Sequence, residues 1–265
     1  MKTILQMQNV SLTYHTLKNE TQAVKDLSFE WYEGELLGIV GPSGCGKTTI
    51  LSLLSGILSP SQGEVLIGGE KADCHSNLTG YMLQRDELMS WRTILSNVLL
   101  GLEIKKIKTP EKIEHAKELL NKYNLGEFKD FYPNQLSGGM KQRVALIRTL
   151  VLEPKLLLLD EPFSALDFQT RLNVVEDVYT ILKSEGKSAV FVTHDISEAI
   201  SMCDRVIVLT HRPCSVKTII DLFELKDYTP LKRRELPVFS KYFDKIWHSL
   251  QDTKEKENDK EITKK

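Results

Sequence analysis

Short apolar or β-rich stretches recur along the chain: LLGIV at 36–40, EVLIGG at 64–69, LTGYML at 78–83, KLLLLD at 155–160, AVFVTH at 189–194 and RVIVLT at 205–210. Helical patterns separate most of them, and this alternation predicts an α/β fold with a largely parallel sheet. LLLL at 156–159 and AVFV at 189–192 are apolar at every position, as strands covered on both faces require. Ligands gather beyond the C-terminal ends of such strands, so the residues that follow them are the first place to look for chemistry.

Between Gln84 and Leu136 the period changes to that of helices. Thr109, Pro110 and Glu111 read as an N-cap followed by proline at the first helical position. Ile113, Ala116, Leu119, Leu120 and Tyr123 then fall on one face until Gly126 ends the run. This predicts a helical insertion over about 86–152. Near the C-terminus, Phe239, Phe243, Ile246, Trp247 and Leu250 suit an amphipathic helix over 237–251 docked on the body, with a partner surface as the alternative. Residues 252–265 are almost entirely charged or polar and predict a disordered tail.

Composition narrows the partners more than the fold. The 265 residues are 41% hydrophobic, ample for a buried core. Lys and Arg number 35 against 36 Asp and Glu, a formal charge of −1, so no global field draws the chain to nucleic acid or an anionic membrane. No apolar run approaches the roughly 20 residues of a membrane-spanning helix. The polar Gln and Asn of MKTILQMQNV interrupt any signal-peptide core, which predicts a cytosolic protein. Cys45, Cys74, Cys203 and Cys214 show neither CxxC nor His spacing, so they predict reduced thiols rather than a zinc site or disulfide framework. Cys45 alone sits inside a motif, where a small residue at a variable position is the simpler reading and a redox switch the alternative.

That motif is GPSGCGKT at 41–48, a full match to G-x-x-x-x-G-K-[ST] between a strand and the helical run TTILSLLSG. Gly41, Gly44 and Gly46 let successive backbone N–H groups turn toward phosphate oxygens at a positive helix N-terminus. Lys47 is placed to reach the β- and γ-phosphates of a nucleotide and Thr48 to ligate Mg²⁺. Pro42, Ser43, Cys45 and Thr49 complete the loop around the phosphates. LLLLDEP then delivers Asp160 to a strand end, where it suits the metal, and Glu161, which could orient or deprotonate the attacking water. His194 ends another buried strand and suits the γ-phosphate and the catalytic carboxylate together, while Gln84 could touch a metal-bound water and sense the γ-phosphate. LSGGMKQR at 136–143 is a second glycine-rich helix start. The Ser137 hydroxyl and the Gly138 and Gly139 amides make a second anion cradle, which one chain cannot easily close on the nucleotide held by its own first loop.

These pieces, in this order, resemble the ATP-binding subunits of ABC transporters. GPSGCGKT is similar to the Walker A loop, Gln84 to the Q-loop, LSGGMKQR to the signature motif and LLLLDEP to the Walker B strand. SALD at 164–167 is similar to the D-loop and His194 to the H-loop. The resemblance implies a P-loop NTPase fold of the ABC ATPase type over residues 4–236: a mainly parallel core sheet, an antiparallel β edge and the helical subdomain. It implies ATP with Mg²⁺, the metal held by Thr48, Asp160 and Gln84. Tyr14, in VSLTY, matches the aromatic that stacks on adenine, with a plain strand-surface tyrosine as the alternative. It also implies a head-to-tail dimer, in which each ATP lies between the phosphate loop of one copy and the Ser137 turn of the other, and opening of the dimer once the γ-phosphate is gone. Met140 stands where the family has Gln, a departure expected to bear on substrate grouping rather than hydrolysis.

A single ATPase domain with no membrane span implies a separate permease, contacted through the helical insertion, and an extracytoplasmic solute-binding protein that acts indirectly. The protein would then sit peripherally on the cytoplasmic face of the membrane. LQRDELMSWRTILSNVLLGLE, with Trp91 after Gln84 and Asn97 opening the next helix, is similar to importers of the nitrate, sulfonate and taurine type, and HRPCSVK at 211–217 to the same group. LKDYTPLKRREL departs from that group's proline-arginine stretch, and vitamin or pyrimidine precursors stay open as substrates. Trp91 serves either core packing or the permease contact. The competing class is a soluble ABC ATPase that remodels a macromolecular complex in translation or DNA repair. Its members usually carry two ATPase domains or a very long coiled-coil insertion; this chain has one domain, a modest insertion and no basic patch to suit nucleic acid.

Overall fold

Two long polar-apolar strands open the chain. In the computed structural model, which describes residues 2–15, 19–73 and 78–262, with side chains through residue 251, β1 spans Thr3–His15 and β2 spans Glu20–Tyr32. They pair antiparallel, Met7 opposite Phe29, and several register shifts interrupt the alternation of β1, so that Leu5, Met7 and the consecutive Val10, Ser11 and Leu12 bury while Gln8 and Asn9 stay exposed. The wholly apolar β3 (Leu36–Val40) follows, then α1 (Lys47–Leu54), which buries Ile50, Leu51, Leu53 and Leu54. β4 (Gln62–Ile67) returns to pair antiparallel with β1, and the short β5 (Glu70–Lys71) closes that edge.

By its internal contacts the chain divides into two units, Met1–Ser76 with Ser188–Lys265, and Asn77–Lys187. The second begins with β6 (Thr79–Met82) and continues through α2 (Ile94–Val98), α3 (Leu100–Ile104), α4 (Pro110–Lys122) and α5 (Gly138–Leu150) to β7 (Leu156–Asp160) and α6 (Phe168–Ser184). β6 and β7 run parallel, Tyr81 opposite Leu158. α4 starts where the sequence indicates: the Thr109 hydroxyl accepts from the Lys112 amide, Pro110 is the first helical residue, and Ala116, Leu119 and Leu120 bury. The core of this unit is β7 with Val144, Ala145, Leu146 and Ile147 of α5 and Val174, Val175 and Val178 of α6. The helical stretch expected over 86–152 falls within it, with both strands and α6 beside it.

The first unit resumes with β8 (Ser188–Thr193), α7 (Ile196–Met202), β9 (Arg205–Leu209), β10 (Val216–Asp221), α8 (Pro230–Glu235) and α9 (Pro237–Ile262). β3 pairs in parallel with both β8 and β9, so Ile39 lies opposite Val192 on one side and Ile207 on the other; β10 adds antiparallel to β9. α9 begins as expected and packs on α7, β9, β10 and α8, with Ile246 buried and the Lys217 ammonium donating to the Ser249 carbonyl at 2.6 Å. Two expectations change here. The backbone stays helical through Ile262 where a disordered tail was expected, because Glu and Lys dominate the segment and both are strong helix formers that extend a turn already docked. Trp247 stands 46% exposed, stacked on Phe243, rather than buried on the docked face.

Candidate functional site

The end of β3 dictates the start of the phosphate loop. A Cβ on Gly41 would lie 2.9 Å from the Cys45 sulfur and 3.0 Å from the Leu209 Cβ, so only glycine lets the chain leave the sheet there. Gly44 (φ 71°) and Gly46 (φ 126°) then take the left-handed backbone that turns the loop into α1. No side chain caps α1 and its first turn holds no acid, so the leading N–H groups of that helix are left for an anion. Lys47, 8% exposed, folds back on its own loop, its ammonium donating to the carbonyls of Gly41 (2.9 Å) and Pro42 (3.0 Å). The Tyr14 hydroxyl lies 3.2 Å from that of Thr49, placing an exposed aromatic ring beside the first turn of α1. His194 follows the end of β8 and is exposed.

Residues the motif does not contain brace this loop. The Arg212 guanidinium donates to the Gly44 carbonyl at 2.8 Å. Cys214 is fixed to β2, its amide donating to the Ala23 carbonyl (2.8 Å) and its carbonyl accepting from the Lys25 amide (2.9 Å). Cys45 and Cys214 share a thiol hydrogen bond. That bond is the main cause holding the Cys45 thiol at about 7; burial opposes it and the Lys47 charge assists, while the same bond and burial push Cys214 upward. HRPCSVK had marked this segment as characteristic without revealing what it touches.

In the second unit, β7 ends at the buried Asp160, whose Oδ2 accepts from the Tyr81 hydroxyl at 3.2 Å. Burial and that carboxylate drive the Tyr81 hydroxyl well above the usual tyrosine range, so Tyr81 stays a neutral donor. Glu161 adopts φ 42°, a left-handed backbone that breaks off the strand after Asp160. The Gln84 amide donates to Glu161 Oε2 at 3.2 Å and to Ser164 Oγ at 3.3 Å, and Ser164 Oγ in turn donates to the Glu161 carbonyl at 3.0 Å. Gln84, expected to serve a metal-bound water, therefore touches the candidate general base directly. Arg148 steadies the segment that follows, donating to the carbonyls of Asp86 (2.6 Å) and Glu87 (2.8 Å).

The second glycine-rich start is a capped helix. The Ser137 hydroxyl accepts from the Met140 amide at 3.3 Å, which is the N-cap of α5. Ser137 and Gly138 are exposed, whereas Gly139 is buried against α6: a Cβ there would sit 2.7 Å from Val174 Cγ2. Trp91 stands 74% exposed, so the core-packing alternative for it fails. Asn97, fully buried, lies within α2 instead of opening it, because Thr93 is the cap; its side chain accepts from the Met89 amide and donates to the carbonyls of Met89, Arg92 and Thr93. It thereby ties down the loop that presents Trp91. Among the described residues, no helix is long and apolar enough to cross a membrane.

The chain is similar in sequence and fold to several known proteins. The sequence profile of the ABC transporter family matches residues 24–164. YtlC of Bacillus subtilis, an uncharacterized ABC transporter ATP-binding protein, is 45% identical over 247 residues, covering 93% of this chain and 95% of the relative. The taurine import ATP-binding protein TauB of Pelagibacter ubique is 41% identical over 210 residues, 78% of each chain. The nitrate transport protein NasD of Klebsiella oxytoca is 36% identical over 248 residues, covering 91% of this chain and 93% of NasD. The dimeric post-hydrolysis structure of the ATP-binding cassette MJ0796, bound to ADP and Pi, superposes with a TM-score of 0.70 at 31% identity, covering 83% of this chain and 99% of that one.

Proposed function

Because the chain belongs to the ABC transporter family, we propose that it is the ATP-binding and hydrolysing subunit of an importer. Its cargo is a small anion of the nitrate, sulfonate or taurine kind, and its partner a separate membrane permease. The observation that carries this reading is the uncapped N-terminus of α1 behind Gly44, Gly46 and Lys47, a cradle of amides and one cation shaped for a polyphosphate. The taurine and nitrate relatives favour import over remodelling of a macromolecular complex.

On ATP, the Lys47 ammonium leaves the Gly41 and Pro42 carbonyls for the β- and γ-phosphate oxygens, where it stabilises the charge of the departing phosphoryl group. The loop amides from Gly44 to Thr49 hold the same oxygens, and Tyr14 covers the adenine. Thr48 and Asp160 are the oxygen donors that would hold Mg²⁺, Asp160 being steadied by the Tyr81 hydroxyl. A bound Mg²⁺ would supply charge neutralisation as the terminal phosphoryl group departs. Glu161 takes the proton of the water that attacks the γ-phosphorus, and His194 holds the γ-phosphate. Gln84, now on Glu161 and Ser164, releases the base when it turns to the nucleotide. The Ser137, Gly138 and Gly139 turn of a second copy completes the site, in keeping with the dimeric cassette that this chain resembles. Such a pair works at the cytoplasmic face of the membrane, with a solute-binding protein outside it.

Glu161→Gln tests the chemistry. It should bind ATP normally, lower turnover by about a hundredfold or more, and accumulate an ATP-bound dimer on gel filtration. Retained steady-state hydrolysis would remove Glu161 from its role. Co-purification of a permease from detergent-solubilised membranes, and loss of taurine, sulfonate or nitrate uptake on deletion, test the transport assignment.

A further inference from the structure

We propose that Cys45 and Cys214 form a reversible disulfide that fastens the phosphate loop to β2 and closes it to nucleotide, an inference that rests on the phosphate-loop reading above. Cys45 lies between the two left-handed glycines of the loop, 1% exposed, with its sulfur against Gly41. Cys214 is fully buried and pinned on β2 by its two backbone bonds to Ala23 and Lys25. The loop passes directly beside it: a Cβ on Gly46, the residue after Cys45, would lie 3.5 Å from the Cys214 Cβ. The two thiols are hydrogen-bonded to each other and so share one pocket.

The asymmetry of the pair sets the order of events. Cys214 donates and Cys45 accepts, which makes Cys45 the thiolate and Cys214 the resolving thiol. A peroxide is the oxidant whose size suits a pair this buried. The Cys45 thiolate attacks one peroxide oxygen and breaks the O–O bond, giving a sulfenic acid and hydroxide, which takes up a proton to become water. The Cys214 sulfur then attacks the sulfenic sulfur, the S–O bond breaks, and its oxygen leaves as a second water with the Cys214 proton. Two electrons pass from the sulfurs to the peroxide, and a dithiol returns them.

Joining the sulfurs draws them from hydrogen-bond contact to about 2.05 Å. Cys214 is held by β2, so the movement falls on the loop, where Gly44 and Gly46 yield most easily. The amides around Cys45 and the start of α1 turn with it. Losing one of their bonds to a phosphate oxygen lowers affinity by about tenfold or more.

The test treats the full chain with hydrogen peroxide, with and without prior MgATP. A peptide map under non-reducing conditions, a fluorescent-ATP titration and the ATPase rate are then read together. The expected result is a Cys45–Cys214 linked peptide, ATP affinity at least about tenfold weaker, recovery with dithiothreitol, and protection by MgATP. Cys214→Ser should hydrolyse ATP like the parent before treatment, form no such link, and keep its ATP affinity after peroxide; Cys214→Ala serves if the serine variant does not fold. Absence of the linked peptide, including oxidation of Cys45 alone or linkage through Cys74 or Cys203, overturns the proposal. So does a linked protein that binds ATP unchanged, or a Cys214→Ser protein that loses ATP binding as readily as the parent. Failure of the untreated protein to bind ATP would instead sink the phosphate-loop reading, with the peptide map still reporting on the thiols.

Discussion

Gly139 offers a direct way to separate packing from phosphate contact in the glycine pair that begins α5. In Gly139→Ala the new Cβ would lie 2.7 Å from Val174 Cγ2 and 3.3 Å from Thr170 Cγ2, both on α6. Carbon pairs prefer about 3.5–4.0 Å, so the two helices must separate. Val174 is branched at Cβ and buried, and it cannot swing aside as the end of a long side chain could. Overpacking of this kind costs about 1–3 kcal/mol, against a helix-propensity gain for alanine of less than about 1 kcal/mol this near the helix start. The net loss should be about 1–2 kcal/mol, which at about 2–4 °C per kcal/mol lowers Tm by roughly 3–6 °C.

Gly138→Ala meets only the mobile end of Leu166, at 3.0 Å, and should leave Tm nearly unchanged. The cause can be checked by a cycle with Val174→Ala, which removes the atom in the way. That change alone costs about 1–2 kcal/mol, but in its presence Gly139→Ala should cost little, a coupling of about 1 kcal/mol or more. Urea melts of the four proteins read it directly. Additive effects, or a Gly139→Ala protein as stable as the parent, would refute the packing account and leave Gly139 only its amide. Because α5 carries Ser137 as its cap, the packing contact also aims the turn proposed to meet a second copy.

Three further outcomes test other parts of the structure. Asn97→Ala removes the acceptor of the Met89 amide and the donor to three carbonyls, and should cost about 2–4 kcal/mol; faster amide exchange over 88–93 would place the loss in the loop that bears Trp91. Arg233→Met orphans the carbonyls of Ile200, Cys203 and Tyr228 at a fully buried site and should lower stability by roughly 3 kcal/mol, measured by urea unfolding. Oxidation of Cys45 by hydrogen peroxide should speed up through an inflection at about pH 7 and level off above it, because the thiolate reacts and the Cys214 bond and the Lys47 charge favour it. Since this thiol is lowered from the ordinary 9 in the folded chain, the folded state binds fewer protons between pH 7 and 9, and stability rises with pH across that window; in Cys214→Ala the inflection should move upward.

Chemistry that depends on a few consecutive residues was readable from the chain. GPSGCGKT, LLLLDEP and the Thr109 to Pro110 start of α4 each carry their own backbone instructions, and β3 appears over the five residues that the apolar pattern marks. β1 was harder to see because its pairing slips register several times, which breaks the alternation that would have announced thirteen residues of strand. The charged segment after residue 251 misled for a different reason: low hydrophobicity forecasts little burial, yet a helix of Glu and Lys needs only a docked turn to grow from.

What the chain hid most completely is the support behind its clearest motif. Nothing local links Cys45 to Cys214, or Gly44 to Arg212, since each pair is joined only when β2, β3 and β9 are in place. From sequence Cys45 reads as a small residue tolerated at a variable position; the structure adds that its thiol is buried. Burial beside a second thiol changes what it can do. The loop proposed to hold phosphate is braced by one arginine and one cysteine of a single segment, 211–217: Arg212 on the Gly44 carbonyl and Cys214 against Cys45. Arg212 of that segment bonds the Gly44 carbonyl, and Gly44 and Gly46 hold the left-handed backbone of the loop, so under the proposed disulfide a change there would reach a nucleotide without touching it.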